Sequence, residues 1–274
     1  MKKISQLMTI IFLKPLLTML LIAIICGLLG VFVLWKKITY FGDAVSHSML
    51  LGVVLSALFE INQSLSFFGF GIVFALLSSL IMHCKILPRD AMIMILSYFT
   101  IALAFVFADI YLPNFSFTSY ILGDLMTVSK FDVVILGFLA LLITVFSFIF
   151  YQKILLINID YDLAKIEKVR INIINILFTT LLIFTIAMAV QVVGVFLITA
   201  LLILPATIAR LFSKSPLQML FLSFTIALIC STSAFKIAET YNLTISAVIV
   251  LLLVLVFLIS LFYQSIAKFI HEKI

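Results

Sequence analysis

Ile171-Asn-Ile-Ile-Asn-Ile-Leu-Phe-Thr-Thr-Leu-Leu-Ile-Phe-Thr-Ile-Ala-Met-Ala-Val190 contains no charged side chain. At 1.5 Å per residue a helix of this length reaches across the roughly 30 Å hydrocarbon core of a bilayer. With no water there to satisfy amide groups, such a run must bond its backbone within itself, and the alternation of a strand is absent, so it reads as a helix. Similar runs lie on either side of it: Leu16 to Trp35, Thr39 to Phe59, Ser64 to Met82, Ala91 to Tyr111 and Phe131 to Tyr151 before, and Val193 to Leu211, Leu217 to Phe235 and Leu243 to Tyr263 after. The expected fold is all-α, a polytopic transmembrane helix bundle of eight or nine spans.

Composition agrees. Hydrophobic residues make up 66% of the 274 positions and charged residues 10%, with a mean hydropathy of +1.41, against about a quarter charged in a soluble domain. The spans use nearly all of the length, so one membrane domain over residues 1–274 is expected, with no separate soluble domain. Cys26, Cys84 and Cys230 lie far apart and read as small apolar residues, not as a disulfide framework. The net charge of +6 comes from basic residues scattered between apolar runs, which excludes a nucleic-acid surface and leaves topology signals. The start, Met1-Lys2-Lys3 before an apolar run, has no small-residue cleavage site and reads as a retained segment.

Lys and Arg accumulate on the cytoplasmic side of short connections. Alternate connections hold Lys36-Lys37, then Lys85 with Arg89, then Lys153, Lys165, Lys168 and Arg170, then Arg210 with Lys214, and finally Lys268 with Lys273. The intervening ones hold only Lys130 and Lys236, and Glu60, Asp109 and Glu239 mark outer helix ends. The C-terminus is therefore expected inside. Nine spans would put the N-terminus outside, against which Lys2, Lys3 and Lys14 count. Two connections exceed a turn, Pro113 to Lys130 outside and Lys153 to Arg170 inside, and both are candidate surfaces for soluble partners.

Within the second run stands Tyr40-Phe-Gly42-Asp43-Ala-Val-Ser46-His47-Ser48. Asp43 and His47 are four apart, so both side chains leave one helix face a turn apart. A carboxylate and an imidazole suit a divalent cation such as zinc, and two ligands hold it weakly enough to let it pass. If a second copy brought its own pair alongside, four ligands would converge. The plainer reading makes Asp43 a helix cap and His47 an interior histidine. His83 beside Cys84 reads as an interfacial residue, and His271 lies in the charged tail.

A second region, Gly194 to Pro216, carries Leu201-Leu-Ile-Leu-Pro205-Ala206-Thr-Ile-Ala209-Arg210 followed by Lys214 and Pro216. Pro205 lacks an amide hydrogen and is expected to kink or end the helix, leaving a short basic helix at the inner surface. That helix is either an ordinary loop or a coupling element. The nine glycines never form GxxxxGK[ST], so nucleotide phosphates are not cradled by a P-loop here.

The stretch Gly30 to Gly52, with Trp35, Asp43 and His47, resembles the first signature of the bacterial metal-ion (zinc/manganese) ABC transporter permeases. Leu201 to Arg210 resembles their second, and Tyr120 to Asp124, Asp162-Leu-Ala and Ile245 to Val250 are also similar, so the resemblance spans the chain. It implies a homodimeric, multi-pass permease in the bacterial inner membrane that imports zinc. It also implies a periplasmic zinc-binding protein, two cytoplasmic ATPase subunits that hydrolyse the ATP, and no permanently bound cofactor. Asp43 and His47 would line the metal path, and Pro205, Ala206, Ala209, Arg210, Lys214 and Pro216 would form the ATPase contact. Lys168 stands where a glycine commonly follows the Asp-Leu-Ala block, and Met94 and Ala104 replace glycines of the fourth span. The alternatives are a manganese or iron permease of the same family and an ion-coupled carrier. A carrier should show paired broken helices in two inverted halves, and only the one at Pro205 is legible. An intramembrane zinc enzyme would need a third ligand and a general base that the sequence does not offer.

Overall fold

The structure, a computed structural model, describes residues 2–82, 89–113, 115–123, 125 and 128–271. His83, Cys84, Lys85, Asp124 and Lys273 lie outside these, as do the side chains of Lys2, Lys3, Arg89, Lys268 and His271. Ten helices follow in order: α1 Lys2–Trp35, α2 Thr39–Leu58, α3 Gln63–Met82, α4 Arg89–Tyr111, α5 Thr118–Leu122, α6 Lys130–Ile159, α7 Tyr161–Ile166, α8 Ile171–Phe212, α9 Pro216–Tyr241 and α10 Ile245–His271.

α8 is the axle of the bundle. It packs against α1, α2, α3, α5, α6, α9 and α10, and its side chains from Thr185 to Val195 are almost all fully buried. Its 42 residues would extend about 63 Å if straight, twice the apolar thickness of a bilayer. They are not straight, because Gly194 has φ 79° and ψ 165°, outside any helical region. The reversal there can be deduced from contacts. Phe178 meets the Phe32 ring of α1 edge-on at 6.3 Å, and the Leu202 carbonyl rests on Gly30 two residues away. Positions 178 and 202 would stand roughly 36 Å apart along a straight helix. The chain therefore doubles back at Gly194.

Seven helices among the described residues are long and apolar enough to cross a membrane, which leaves the expected count of eight or nine spans unconfirmed. Two elements bear on the count: α8, continuous along the chain yet folded at Gly194, and α3, a 20-residue apolar helix that is not among the seven. Pro205 corrects the reading in which the helix ends there. It sits inside α8 without breaking it, and the helix runs on to Phe212. The connection Lys153 to Arg170 is also more ordered than a loop: α6 continues to Ile159, and Asp160 caps α7 by accepting from the amides of Asp162 and Leu163 at 3.0 Å each.

Packing without a hydrophobic drive between helices depends on close approach and on polar contacts. α1 supplies both. A Cβ at Gly27 would come within 3.0 Å of the Phe224 backbone, and the Gly27 carbonyl accepts a 2.6 Å bond from Ser223 Oγ of α9. Away from this centre the helices turn apolar side chains outward, as α6 does with Phe131, Val134, Phe138, Leu141, Val145 and Phe148. Such a stripe, spaced three or four residues apart, is an apolar face of the kind that meets lipid or another apolar helix.

Candidate metal path and coupling surface

From Phe41 to Val54 every residue of α2 is buried except Asp43 and His47. This follows from the neighbours that enclose the rest of the helix. Gly42 leaves room for the Leu202 side chain of α8, and Ser66 Oγ of α3 donates to the Gly52 carbonyl at 2.7 Å. From α4, Ser97 Oγ donates to the Ala44 carbonyl at 2.9 Å and Thr100 Oγ1 to Ser48 Oγ at 3.0 Å. Three helices thus clasp α2 and leave one face open.

On that face the two side chains lie together, His47 Nδ1 3.4 Å from Asp43 Oδ1, with 40% and 39% of the respective side chains exposed. The same Nδ1 lies 2.9 Å from the Asp43 backbone carbonyl, an arrangement that places the ring proton on Nδ1. In the neutral ring the lone pair is then on Nε2. Histidines that bind metal are commonly oriented in this way by a bond from the other ring nitrogen. Asp43 does not cap the helix: α2 starts at Thr39 and its N-cap is Ile38. Among the described residues no group of three or more His, Cys, Asp or Glu gathers, so one chain offers this site two ligands.

The second predicted region is split by burial. Pro205, Ala206 and Ala209 are buried against the bundle, while Arg210 and Lys214 are exposed and Pro216 half-buried. The turn between α8 and α9 is tightly tied. Ser215 caps α9 by accepting from the Gln218 amide at 3.2 Å, Gln218 Oε1 accepts from the Lys214 amide at 2.8 Å, and Gln264 of α10 donates to the Leu211 carbonyl. The result is a rigid knuckle bearing two cations, far along the chain from the Asp43/His47 face but joined to it through Leu202.

At the other end of the bundle the Gly194 reversal receives α5. Gly123, φ 76°, and Gly194 meet backbone to backbone: a Cβ on Gly123 would fall 2.5 Å from the Val193 carbonyl oxygen, and one on Gly194 2.6 Å from that of Ile121. Ser246 Oγ of α10 bonds to the carbonyls of Leu122 at 2.7 Å and Val193 at 3.3 Å, fastening the clasp. Burial raises the Tyr120 phenol above its ordinary range, partly offset by a bond with Gln63. Part of the outer connection thus turns inward. Close by, Asp132 is buried in a capping box with Ser129 and faces Ser64, whose hydroxyl also lies 3.3 Å from Gln191. Asp132 is legible in the sequence as a capping box, Ser129 standing three residues ahead of an acid before an apolar run.

A broken helix at the centre of an apolar bundle, with a polar pair on one enclosed helix, is the architecture of a membrane transport subunit. The chain belongs to the ABC 3 transport family, which matches residues 8–264, and is a metal-ion ABC transporter permease. It is 33% identical over 88% of its length, and 93% of the relative's, to the "High-affinity zinc uptake system membrane protein ZnuB" of Buchnera aphidicola subsp. Baizongia pistaciae. It is 28% identical over 95% of its length and 94% of the relative's to the "Manganese import system permease protein ScaB" of Streptococcus gordonii. The solved structure of PsaBC from Streptococcus pneumoniae in complex with Fab superposes with a TM-score of 0.79 at 29% identity, covering 91% of this chain and 90% of that one.

Proposed function

We propose that the chain imports zinc across the bacterial inner membrane as one half of a homodimeric permease, with Asp43 and His47 as the transient metal ligands. The observation that carries this reading is that between Phe41 and Val54 of α2 these two residues alone are open, every other being buried. Two ligands from each of two chains make a four-coordinate site of the kind zinc prefers, and separating the chains halves it, which releases the ion. The energy comes from two cytoplasmic ATPase subunits against the knuckle of Pro205, Ala206, Ala209, Arg210, Lys214 and Pro216. A periplasmic zinc-binding protein delivers the ion. Residues 1–274 act as one permease unit, and α3 and both limbs of α8 count as crossings, which gives nine spans.

The test is zinc uptake by a strain lacking its own permease and supplied with this chain, the ATPase and the binding protein. Asp43→Ala and His47→Ala should each lower uptake by about 10- to 100-fold with unchanged protein in the membrane. Normal uptake by the double variant would overturn the site. The similarity to ScaB favours manganese as the second reading, and carboxylate with imidazole serves that ion too. Competition among zinc, manganese and iron in the same assay decides between them.

A further inference from the structure

Three buried hydroxyls, those of Ser147, Thr185 and Ser231, have no hydrogen-bond partner among the described residues. A polar group enclosed in this way pays its full desolvation with nothing in return. Ser147 differs from the other two in lining a cavity, of about 110 Å³, enclosed by α1, α6 and α9. The cavity follows from how these helices meet. α9 is drawn onto α1 at Gly27 and Ser223, and α6 packs on α1 through the rings of Phe32 and Phe146, 6.3 Å apart. Leu28 of α1, Leu220 and Phe224 of α9, and Ser147 and Thr144 of α6 face the space left between them. Phe148 and Phe221, its two exposed members, bring their rings to 6.0 Å and bridge α6 to α9.

The lining selects among occupants. No ionisable side chain is present, which excludes a charged ligand. Water at roughly 30 Å³ each would need three or four molecules, and each would seek two to four polar partners. Only two hydroxyls are offered, and that of Thr144 already donates to the Ala140 carbonyl at 2.7 Å, so it can only accept. A hydrocarbon would match the walls and leave Ser147 unpaired. A molecule with one hydroxyl on a short apolar chain satisfies both demands. Since a cavity of about 150 Å³ holds benzene, this one takes roughly four or five non-hydrogen atoms. We infer that the cavity is a binding site for a short-chain alcohol of three or four carbons. Its hydroxyl accepts from Ser147 Oγ, and its chain lies against Leu28, Leu220 and Phe224. The site shares no residue with the metal path or the coupling surface, so it rests on neither the metal nor the ATPase.

Fluorine NMR supplies the measurement. The purified full chain in detergent is titrated with 3-fluoro-1-propanol, and separately with 1-fluoropropane, which has the same chain without the hydroxyl. The alcohol should bind saturably and about five-fold more tightly than the alkane, the usual worth of one hydrogen bond. Ser147→Ala should weaken the alcohol by about the same five-fold and leave the alkane unchanged, a difference that a general loosening of the bundle would not produce. Ser147→Leu, which fills the space, should remove saturable binding of both. If that variant does not fold, the comparison of Ser147→Ala with the parent carries the test by itself. Equal affinity for the two probes in the parent makes the cavity a purely apolar pocket and overturns the site. So does an equal effect of Ser147→Ala on both, or a response that only rises linearly with probe, which is partition into detergent. Metal uptake does not enter, so failure here leaves the proposed transport function untouched.

Discussion

At the scale of single residues, backbone conformation explains two positions that sequence singled out without a reason. Lys168, where the family resemblance leads one to expect glycine, has φ 55°. Its amide bonds to the Lys165 carbonyl and that of Val169 to the Ala164 carbonyl, both at 3.0 Å, which is the closing motif of a helix with Lys168 at the left-handed C′ position. A side chain there is strained by roughly 1–2 kcal/mol relative to glycine. Lys168→Gly should therefore stabilise the protein by about 1 kcal/mol, read as a higher melting temperature in detergent. Gly194 is the opposite case. Gly194→Ala adds a Cβ against the α5 backbone at a positive φ, and a loss on the order of 2–3 kcal/mol is expected. A melting temperature equal to the parent's would mean that the clasp is not where the structure puts it.

The elements differ in what breaks them. Proline is the residue from which a break in the Gly194–Pro216 stretch is naturally read, yet α8 passes through Pro205 and reverses at Gly194. A proline's missing amide is tolerable where neighbouring helices enclose the turn, whereas a positive φ cannot be helical at all. Pro205→Ala should accordingly leave the melting temperature unchanged or raise it, in contrast to Gly194→Ala. The enclosure of α2 by α4 makes a second prediction at this scale. Removing the Ser97 and Thr100 hydroxyls as Ser97→Ala and Thr100→Val should cost about 0.6 kcal/mol each, the usual worth of a bond between membrane helices. Because these bonds orient the open face, metal affinity measured by equilibrium dialysis should fall further than stability does.

For the whole molecule the expectations concern orientation and assembly. In a background with its cysteines replaced, Glu60→Cys and Glu239→Cys should react with an impermeant maleimide in cells with a permeabilised outer membrane. Lys37→Cys and Lys214→Cys should react only after the inner membrane is broken. Both pairs are exposed, so the readout reports side and not burial. Labelling of all four from outside would reverse the proposed topology. If two chains share one site, the purified permease should bind one zinc ion for every two chains, and Asp43→Ala should abolish that binding.

The sequence alone determined the solvent, the helical class and the pairing of Asp43 with His47 on one helix face. Sixty-six per cent hydrophobic residues leave no fold but helices in lipid, and a spacing of four joins Asp43 to His47 on any helix. Those properties are local, set by composition and periodicity. What it could not determine was where the central helix turns, because φ at Gly194 is fixed by Gly123 and Ser246, distant in sequence. Nor could it say that Asp43 and His47 are the open face of α2, since exposure depends on the helices that cover the other faces. The same holds for Leu28, Ser147 and Phe221: their separate positions read as parts of apolar runs, and only the packing of α1, α6 and α9 gathers them around one cavity.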